Sequence, residues 1–175
     1  MRAFIAIDLP KELKDYLFEL ESKVKEAKIT WVSKKNLHLT LKFLGDISQE
    51  QLEELKVLKT KQKSFSVSLN QLGFFPNAKA PRVIWVSLEP EDDIIELQQN
   101  IDQQLLSQFH SEQKFQSHIT LGRIKSLRRK NDFFDSINNL KIEKKSFKID
   151  AFQILVSTLK KDGPVYNVVG KIDLS

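Results

Sequence analysis

The sequence predicts an α+β fold of two pseudo-symmetric lobes, each an antiparallel sheet with helices on its outer face, flanking a central groove. One observation behind this is a His-x-Thr-Leu pattern that occurs twice, with its histidines at positions 38 and 118. The other is that a similar order of predicted strands and helices accompanies both copies, at an offset of about 80 residues, which indicates internal duplication. We therefore expect residues 1–175 to form a single bilobal domain with repeats of about 1–80 and 81–175, whose lobes can exchange strands.

The N-terminal repeat begins with an apolar strand over residues 2–8, and Pro10 then opens a helix whose leucines recur at helical spacing to about residue 27. The first histidine motif, residues 36–45, predicts the next strand. Ser48 is a typical N-cap for the helix that follows it. Alternation of apolar and polar residues over 65–70 then predicts a half-buried strand.

The C-terminal repeat follows a predicted loop over residues 73–81 and shows the same alternation of strands and helices. Pro90 opens its first helix, as Pro10 does in the first repeat. The predicted elements are a strand at 82–88, a helix to about 106, the second motif strand at 117–124, a short helix at 130–139, and strands at 147–156 and 165–174.

The composition narrows the function classes. The chain of 175 residues has no cysteine, which excludes disulfides, thiolate metal sites and a cysteine nucleophile. No apolar run approaches the roughly 20 residues that span a membrane, so we expect a cytoplasmic protein. The net charge of +5 permits a polyanionic ligand, and basic residues cluster over 123–130. That cluster is either a solvated surface or a rim that binds along the phosphate backbone of a nucleic acid.

The two motifs place a proton carrier beside a hydroxyl. Because side chains alternate in a strand, His38 and Thr40 share one face, as do His118 and Thr120. Imidazole titrates near pKa 6.5, so one histidine can give a proton while the other takes one. The hydroxyls can donate to phosphate oxygens. Two histidines alone are a poor metal site, so we expect neither a metal nor a cofactor.

Such a pair suits in-line displacement at a phosphorus atom, with acid–base help on both sides. The chemistry favours a phosphate ester with an internal nucleophile or a strained ring, of which a 2′,3′-cyclic phosphate is an example. The residues narrow the substrate to this class without naming it.

The paired motifs, and residues 36–45 in particular, resemble the 2H phosphoesterase superfamily. Within it, the chain is most similar to the bacterial and archaeal RNA 2′,3′-cyclic phosphodiesterases, formerly called 2′-5′ RNA ligases. The resemblance covers nearly the whole chain, with further similar residues at 2–10, Trp31, 81–85 and Gly163-Pro164-x-Tyr166.

This resemblance implies a duplicated fold and metal-free opening of a terminal 2′,3′-cyclic phosphate to a 2′-phosphate. It implies that His38 donates a proton to the 3′ oxygen, that His118 is the proton acceptor that activates water, and that Thr40 and Thr120 hold the phosphate. Some members of the family also join RNA ends. The expected partner is RNA with a cyclic-phosphate end, or a nucleotide, and the expected state is a monomer.

Three further residues are candidates for substrate binding. The arginine of the family falls on Arg123, but simple alternation puts it on the face opposite His118, so a bulge has to redirect it. Lys42 is expected on the His38 face, as a charge near the groove or as a solvated lysine. Phe4 is either a base-stacking residue or a core residue.

Other functions remain open on the sequence. One is a nucleotide- or RNA-end-binding module without turnover, and another is a phosphodiesterase for small cyclic nucleotides. The motif histidines could also be structural, each bonded to its own threonine. The third histidine, His110, lacks the threonine and is expected on the surface at a helix end.

Overall fold

The computed structural model describes residues 1–111 and 114–175, and it confirms the α+β class. Nine strands form one antiparallel sheet, and the described ranges contain four α-helices. In chain order the elements are β1 (Arg2–Asp8), α1 (Lys11–Glu21), β2 (Ala27–Trp31), a 3₁₀ turn (Lys34–Asn36), β3 (His38–Asp46), α2 (Gln49–Leu55), β4 (Phe65–Phe75), β5 (Val83–Glu89), α3 (Asp92–Gln104), β6 (Ile119–Leu127), α4 (Lys130–Asn138), β7 (Ser146–Ile149), β8 (Ala151–Lys160) and β9 (Gly163–Asp173).

The sheet has the strand order β7-β4-β5-β6-β3-β1-β8-β9, and β2 pairs with β6 beside this path. Its two halves meet where Leu39 of β3 pairs with Ile119 of β6. We call the half formed by β1, β3, β8 and β9 lobe 1, and the half formed by β2, β4, β5, β6 and β7 lobe 2. The two motif strands are therefore neighbours at the junction of the lobes.

Strands from each repeat pair with strands from the other. β4 comes from the N-terminal repeat but pairs with β5 and β7 in lobe 2, while β8 comes from the C-terminal repeat and pairs with β1 in lobe 1. The strand predicted at 147–156 is in fact two strands that separate at Asp150. The buried residues are Phe147 and Ile149 before this point and Phe152 and Ile154 after it, so the alternation shifts by one residue where the chain changes its partner strand.

Helices cover the apolar side of the sheet, and their inward residues join one core cluster. The predicted cap of α2 is confirmed, because Ser48 Oγ accepts a hydrogen bond from the Gln51 amide at 3.1 Å. α1 ends at Glu21, earlier than predicted, since Ala27 already starts β2. β4 extends through Phe75 into the predicted loop. Within the described ranges, no helix is both long and apolar enough to cross a bilayer.

Candidate active site

The two motifs lie side by side on one face of the sheet. Leu39 and Ile119 are fully buried and point into the core, so their neighbours along each strand point away from it. In this antiparallel register, His38 lies across from Thr120 and Thr40 lies across from His118. All four side chains are partly exposed. The sheet therefore assembles two imidazoles and two hydroxyls into one patch on neighbouring strands.

Each imidazole is held by the backbone in the same way. Nδ1 of His38 lies 2.6 Å from the Asn36 carbonyl oxygen, and Nδ1 of His118 lies 2.7 Å from the Gln116 carbonyl oxygen. A carbonyl only accepts, so Nδ1 carries the proton of the neutral ring and donates it. Nε2 is consequently the nitrogen that can exchange a proton in both rings.

The two Nε2 atoms differ in their surroundings. Thr40 Oγ1 lies 2.7 Å from His38 Nε2 and donates to it when the ring is neutral. His118 Nε2 makes no hydrogen bond to any residue that the structure describes. The hydroxyl of Thr40 is thus engaged by the ring beside it, whereas the Nε2 of His118 is available to a water molecule.

Burial lowers the pKa of both histidines below the ordinary value of 6.5. The hydrogen bonds to the backbone carbonyls oppose this in part. For His38, the positive charges of Lys14 and His118 lower the pKa further, while Asp8 raises it. Both rings are therefore neutral at pH 7 in the free protein. An anionic phosphate placed between them would raise both pKa values and favour a proton on one ring.

Aromatic rings surround each histidine. Phe4 and Tyr166 contact His38, with ring centroids 5.1 and 5.5 Å away. Phe75 and Trp85 contact His118 at 4.8 and 6.0 Å. Sequence reasoning missed Phe75 because it falls in a predicted loop, and only the extension of β4 brings it to the site.

Phe4 lies on the His38 face, but it is only 5% exposed. It forms a small cluster with Ala6 and Leu155, and Tyr166 covers it in an edge contact at 4.9 Å. The base-stacking alternative is therefore wrong for Phe4, whose ring has no open face. Phe4 instead supports the imidazole of His38.

Both motif strands contain a β-bulge directly after the threonine. In the pairing of β1 with β3, Thr40 and Lys42 face consecutive residues, so Leu41 is the extra residue. In the pairing of β5 with β6, Leu121 is the extra residue in the same way. A bulge of this kind reverses which residues face each side of the sheet.

The first bulge turns Lys42 away from the groove. Lys42 is 5% exposed and forms a buried ion pair with Asp102 of α3. Its Nζ also donates to the His110 carbonyl oxygen at 2.6 Å. The predicted position of Lys42 on the His38 face is therefore wrong. The next residue, Phe43, is 76% exposed instead.

The second bulge redirects Arg123, as the resemblance requires. Gly122 now faces inward, where an added Cβ would lie 2.7 Å from Ile29 Cγ2. Arg123 consequently points to the face of His118, and it is exposed. Its guanidinium makes no ion pair or hydrogen bond within residues 1–111 and 114–175. It is the cationic side chain that the second bulge makes available to this face.

A cavity of about 210 Å³ opens beside His38. Its walls come from β1, α1, the 3₁₀ turn, β8 and β9. The lining residues are Ala6, Asp8, Lys14, Lys35, Asn36, Leu37, His38, Gln153, Leu155, Val165, Tyr166 and Val168. Asn36 also connects two of these walls, because its Nδ2 donates to the Pro164 carbonyl oxygen at 2.9 Å.

His110 is exposed, as expected, but it does not lie at the helix end, because α3 ends at Gln104 and turns follow it. Across the described part of the chain, no group of three or more histidine, aspartate, glutamate or cysteine side chains is placed to hold a metal ion.

This duplicated sheet with paired His-x-Thr strands is the architecture of a 2H phosphoesterase. The family described as LigT like Phosphoesterase matches residues 7–85 and 86–166, one match for each repeat. The chain belongs to this family and is an enzyme of the phosphoesterase class.

Relatives and solved structures agree with this assignment. The chain is 33% identical to an RNA 2′,3′-cyclic phosphodiesterase of Methanocaldococcus jannaschii, over 97% of this chain and 98% of the relative. It is 34% identical to one of Thermotoga maritima, over 97% and 93%. A Thermus thermophilus crystal structure superposes with a TM-score of 0.80 at 29% identity, covering 99% of this chain and 98% of that one. E. coli LigT complexed with 3′-AMP superposes with a TM-score of 0.75 at 28% identity, covering 99% and 98%.

Proposed function

We propose that this chain hydrolyses the 2′,3′-cyclic phosphate at RNA ends to a 2′-phosphomonoester. The observation that carries the proposal is the shared face on which His38, Thr40, His118 and Thr120 meet. The names of the relatives support the substrate class. E. coli LigT, solved with phosphate and with 3′-AMP, supports a phosphate-bearing ligand.

In this mechanism the phosphorus lies between the two Nε2 atoms. His118 takes a proton from water as the water oxygen attacks phosphorus. His38, protonated on Nε2, gives its proton to the 3′ oxygen as the bond from phosphorus to that oxygen breaks. Thr40 and Thr120 donate to the non-bridging oxygens, and Arg123 neutralises their charge. The oxygen of water thus becomes part of the 2′-phosphate, and the 3′ oxygen becomes a hydroxyl with the proton from His38. Proton exchange with solvent then returns His118 to its neutral form and His38 to its protonated form.

The surroundings of the two histidines support this assignment of roles. The ribose has to lie on the side of the acid, because its 3′ oxygen is the leaving group. The cavity lies beside His38, while the ring of Trp85 packs next to His118. The side with room for a sugar is therefore the side of His38, and it is the Nε2 of His118 that has no hydrogen-bond partner among the described residues.

The acid has to be protonated although both histidines have lowered pKa values in the free protein. The cyclic phosphodiester carries a negative charge, and its binding favours the imidazolium form. One proton shared between two histidines and one substrate anion is therefore the reactive state. We propose that this state needs no metal ion and forms within a monomer, since one chain supplies both motifs.

The same geometry accounts for a 2′-5′ ligase activity as an extension of the proposal. In ligation, the 5′-hydroxyl of a second RNA attacks phosphorus in place of water, and the 3′ oxygen leaves as before. His118 would take the proton of that hydroxyl and His38 would protonate the 3′ oxygen. The two histidines would exchange roles only in the reverse reaction, in which the 3′-hydroxyl attacks the 2′-5′ linkage and the 5′ oxygen leaves.

The test is hydrolysis of a short RNA ending in a 2′,3′-cyclic phosphate, with EDTA present and the 2′- and 3′-phosphate products resolved. We expect only the 2′-phosphate. His38→Ala and His118→Ala should each lower kcat by about 10²- to 10⁴-fold. His110→Ala is the matched control and should retain full activity, since its side chain lies on the surface.

A substrate with sulfur in place of the 3′ oxygen separates the two roles, because a thiolate leaves without being protonated. It should restore activity to His38→Ala and leave His118→Ala inactive. Rescue of His118→Ala instead would reverse the assignment. Binding of the cyclic phosphate without any turnover would identify a binding module, and activity that EDTA abolishes and a divalent ion restores would exclude the metal-free mechanism.

A further inference from the structure

The cavity beside His38 has two chemically different walls. The wall from β8 and β9 is largely apolar and carries Leu155, Val165 and Val168, with Tyr166 at its inner end. The wall from α1 and the 3₁₀ turn carries Lys14 and Lys35. An apolar wall suits the flat face of a nucleobase, and a cationic wall suits a phosphodiester.

The two lysines are not equivalent. Lys14 Nζ lies 2.8 Å from Asp8 Oδ1 and donates to the Lys35 carbonyl oxygen at 3.2 Å, so its charge is partly balanced. Lys35 is exposed, and its ammonium makes no ion pair or hydrogen bond in the described part of the chain. Lys35 is therefore the cation of this wall that is available to an added anion.

The connectivity of RNA determines which groups of the substrate enter the cavity. With phosphorus at the two histidines, the ribose lies beside His38, and its base and its 5′ oxygen both extend away from the reacting atoms. The 5′ oxygen carries the next phosphodiester. The cavity of about 210 Å³ is smaller than the roughly 300–1,000 Å³ of typical ligand pockets, so it has room for no more than one nucleoside.

We propose that this cavity binds the terminal nucleoside, with its base against the β8–β9 wall, and that Lys35 binds the phosphodiester on its 5′ side. The inference rests on the proposed function and adds a preference to it. The enzyme acts better on an RNA end than on a nucleoside 2′,3′-cyclic phosphate, because the free nucleoside lacks the phosphodiester that Lys35 contacts.

The first experiment compares kcat/KM for a trinucleotide ending in a cyclic phosphate with kcat/KM for the corresponding nucleoside cyclic phosphate, at several salt concentrations. Lys35→Ala should lower the ratio of the two by roughly two- to fivefold, as for an exposed charge contact. The slope of log kcat/KM for the trinucleotide against log salt should become shallower by about 0.7, the loss of one single-strand phosphate contact. Lys63→Ala, an exposed lysine outside the cavity, is the matched control and should change neither quantity.

The second experiment tests whether the nucleoside binds against the β8–β9 wall, by changing an exposed residue of that wall. Val168 is 53% exposed on β9, so Val168→Glu places a carboxylate at the cavity with little risk to folding. KM should rise for both substrates. Leu159→Glu is the control, since Leu159 is 84% exposed and outside the cavity.

The outcomes separate the two proposals. A wild-type enzyme without turnover on either substrate would overturn the proposed function itself. Normal turnover with an unchanged ratio in Lys35→Ala would overturn the role of Lys35. A lowered ratio in Lys125→Ala instead would show that the RNA follows the basic rim of lobe 2, and an unchanged KM in Val168→Glu would exclude the nucleoside from the cavity.

Discussion

Lobe 1 and lobe 2 repeat one plan, and they differ most beside the histidines. Ala6 of β1 pairs with Thr40, and Trp85 of β5 pairs with Thr120 at the equivalent point. Ala6 lines the cavity beside His38. Trp85 instead fills the space next to His118, and it packs so closely over Gly73 that an added Cβ there would lie 2.3 Å from its ring. The duplication thus supplies two histidines in equivalent positions. Their surroundings differ because the equivalent neighbouring position holds the small Ala6 in lobe 1 and the large Trp85 in lobe 2.

A second difference lies at the two bulges. Lys42 and Gly122 occupy equivalent inward positions, four residues after each motif histidine. In lobe 1 the position holds a buried ion pair with Asp102. In lobe 2 it holds no side chain, which leaves room for Ile29 and Trp31 of β2. The same backbone position is therefore filled differently in the two lobes. It holds a buried charged side chain in lobe 1, and in lobe 2 the glycine leaves space for the side chains of β2.

Trp85→Ala should lower the free energy of unfolding by about 3–5 kcal/mol, because it leaves a large cavity in lobe 2. Ala6→Leu in lobe 1 should cost less, about 1–3 kcal/mol, because it adds volume to the buried cluster of Phe4 and Leu155. Since Ala6 lines the cavity, the variant should also raise KM for the cyclic phosphate. Urea unfolding and steady-state kinetics measure the two effects. An unchanged KM in Ala6→Leu would mean that the open side of the site is not the substrate side.

Lys42→Met should cost about 3–5 kcal/mol of unfolding free energy, because it removes the ammonium that faces the buried carboxylate of Asp102. The double variant Lys42→Met, Asp102→Leu should recover part of this loss, since an apolar pair can replace a buried ion pair. The recovery should be incomplete, because the His110 carbonyl oxygen and the Ser111 hydroxyl lose the groups that they bond. Chemical denaturation of the two variants gives the comparison. Equal stability of the single and double variants would show that the ion pair is not the source of the loss.

Gly122→Ala is the counterpart in lobe 2 and should have a smaller effect, about 1–3 kcal/mol, because the new Cβ overlaps Ile29 and Trp31. Trp31→Leu in the same background should restore part of the stability by making room, and urea unfolding measures both variants. No restoration would indicate that the backbone of the bulge, and not the space beside β2, requires glycine.

The smallest effect concerns pH. Burial lowers the pKa of both site histidines, so the unfolded chain binds protons below pH 6.5 that the folded chain does not. The two histidines therefore cost no stability above pH 6.5. As the pH falls from 6.5 toward the lowered pKa values, their preference for protonation in the unfolded chain lowers the free energy of unfolding. Denaturation of wild type, His38→Gln and His118→Gln between pH 5 and 8 should show a weaker decline in each variant.

Glu21 has to be separated from this trend. Burial raises its pKa to about 7, so its ionisation reduces stability as the pH rises from 4.5 toward that value, the opposite direction. Glu21 is present in the wild type and in both histidine variants. Its contribution therefore cancels when the unfolding free energy of each variant is subtracted from that of the wild type at the same pH. If the wild type and both variants decline in parallel, the histidines are not the source of the pH dependence.

Much of this arrangement can be predicted from local pattern. Apolar alternation and helical spacing locate the strands and helices, and the repeated motif places both histidines and threonines on strands. The errors have one kind of cause. Alternation assigns Lys42 to the wrong face because a bulge depends on the pairing partner. The apolar residues of 147–156 predict one strand, because short-range apolar content does not show that the partner strand changes at Asp150, where the buried positions shift by one residue.

The sequence by itself determined the duplication, the fold class and the residues that can move protons, because these depend on residue type and short-range spacing. Only the tertiary structure decided which surroundings each histidine has. The cavity beside His38 needs Ala6, β8 and β9 to meet, and the filled side of His118 needs Trp85, Gly73 and Phe75. Those residues come from distant strands, so the space left between them is a property of packing that no local pattern carries.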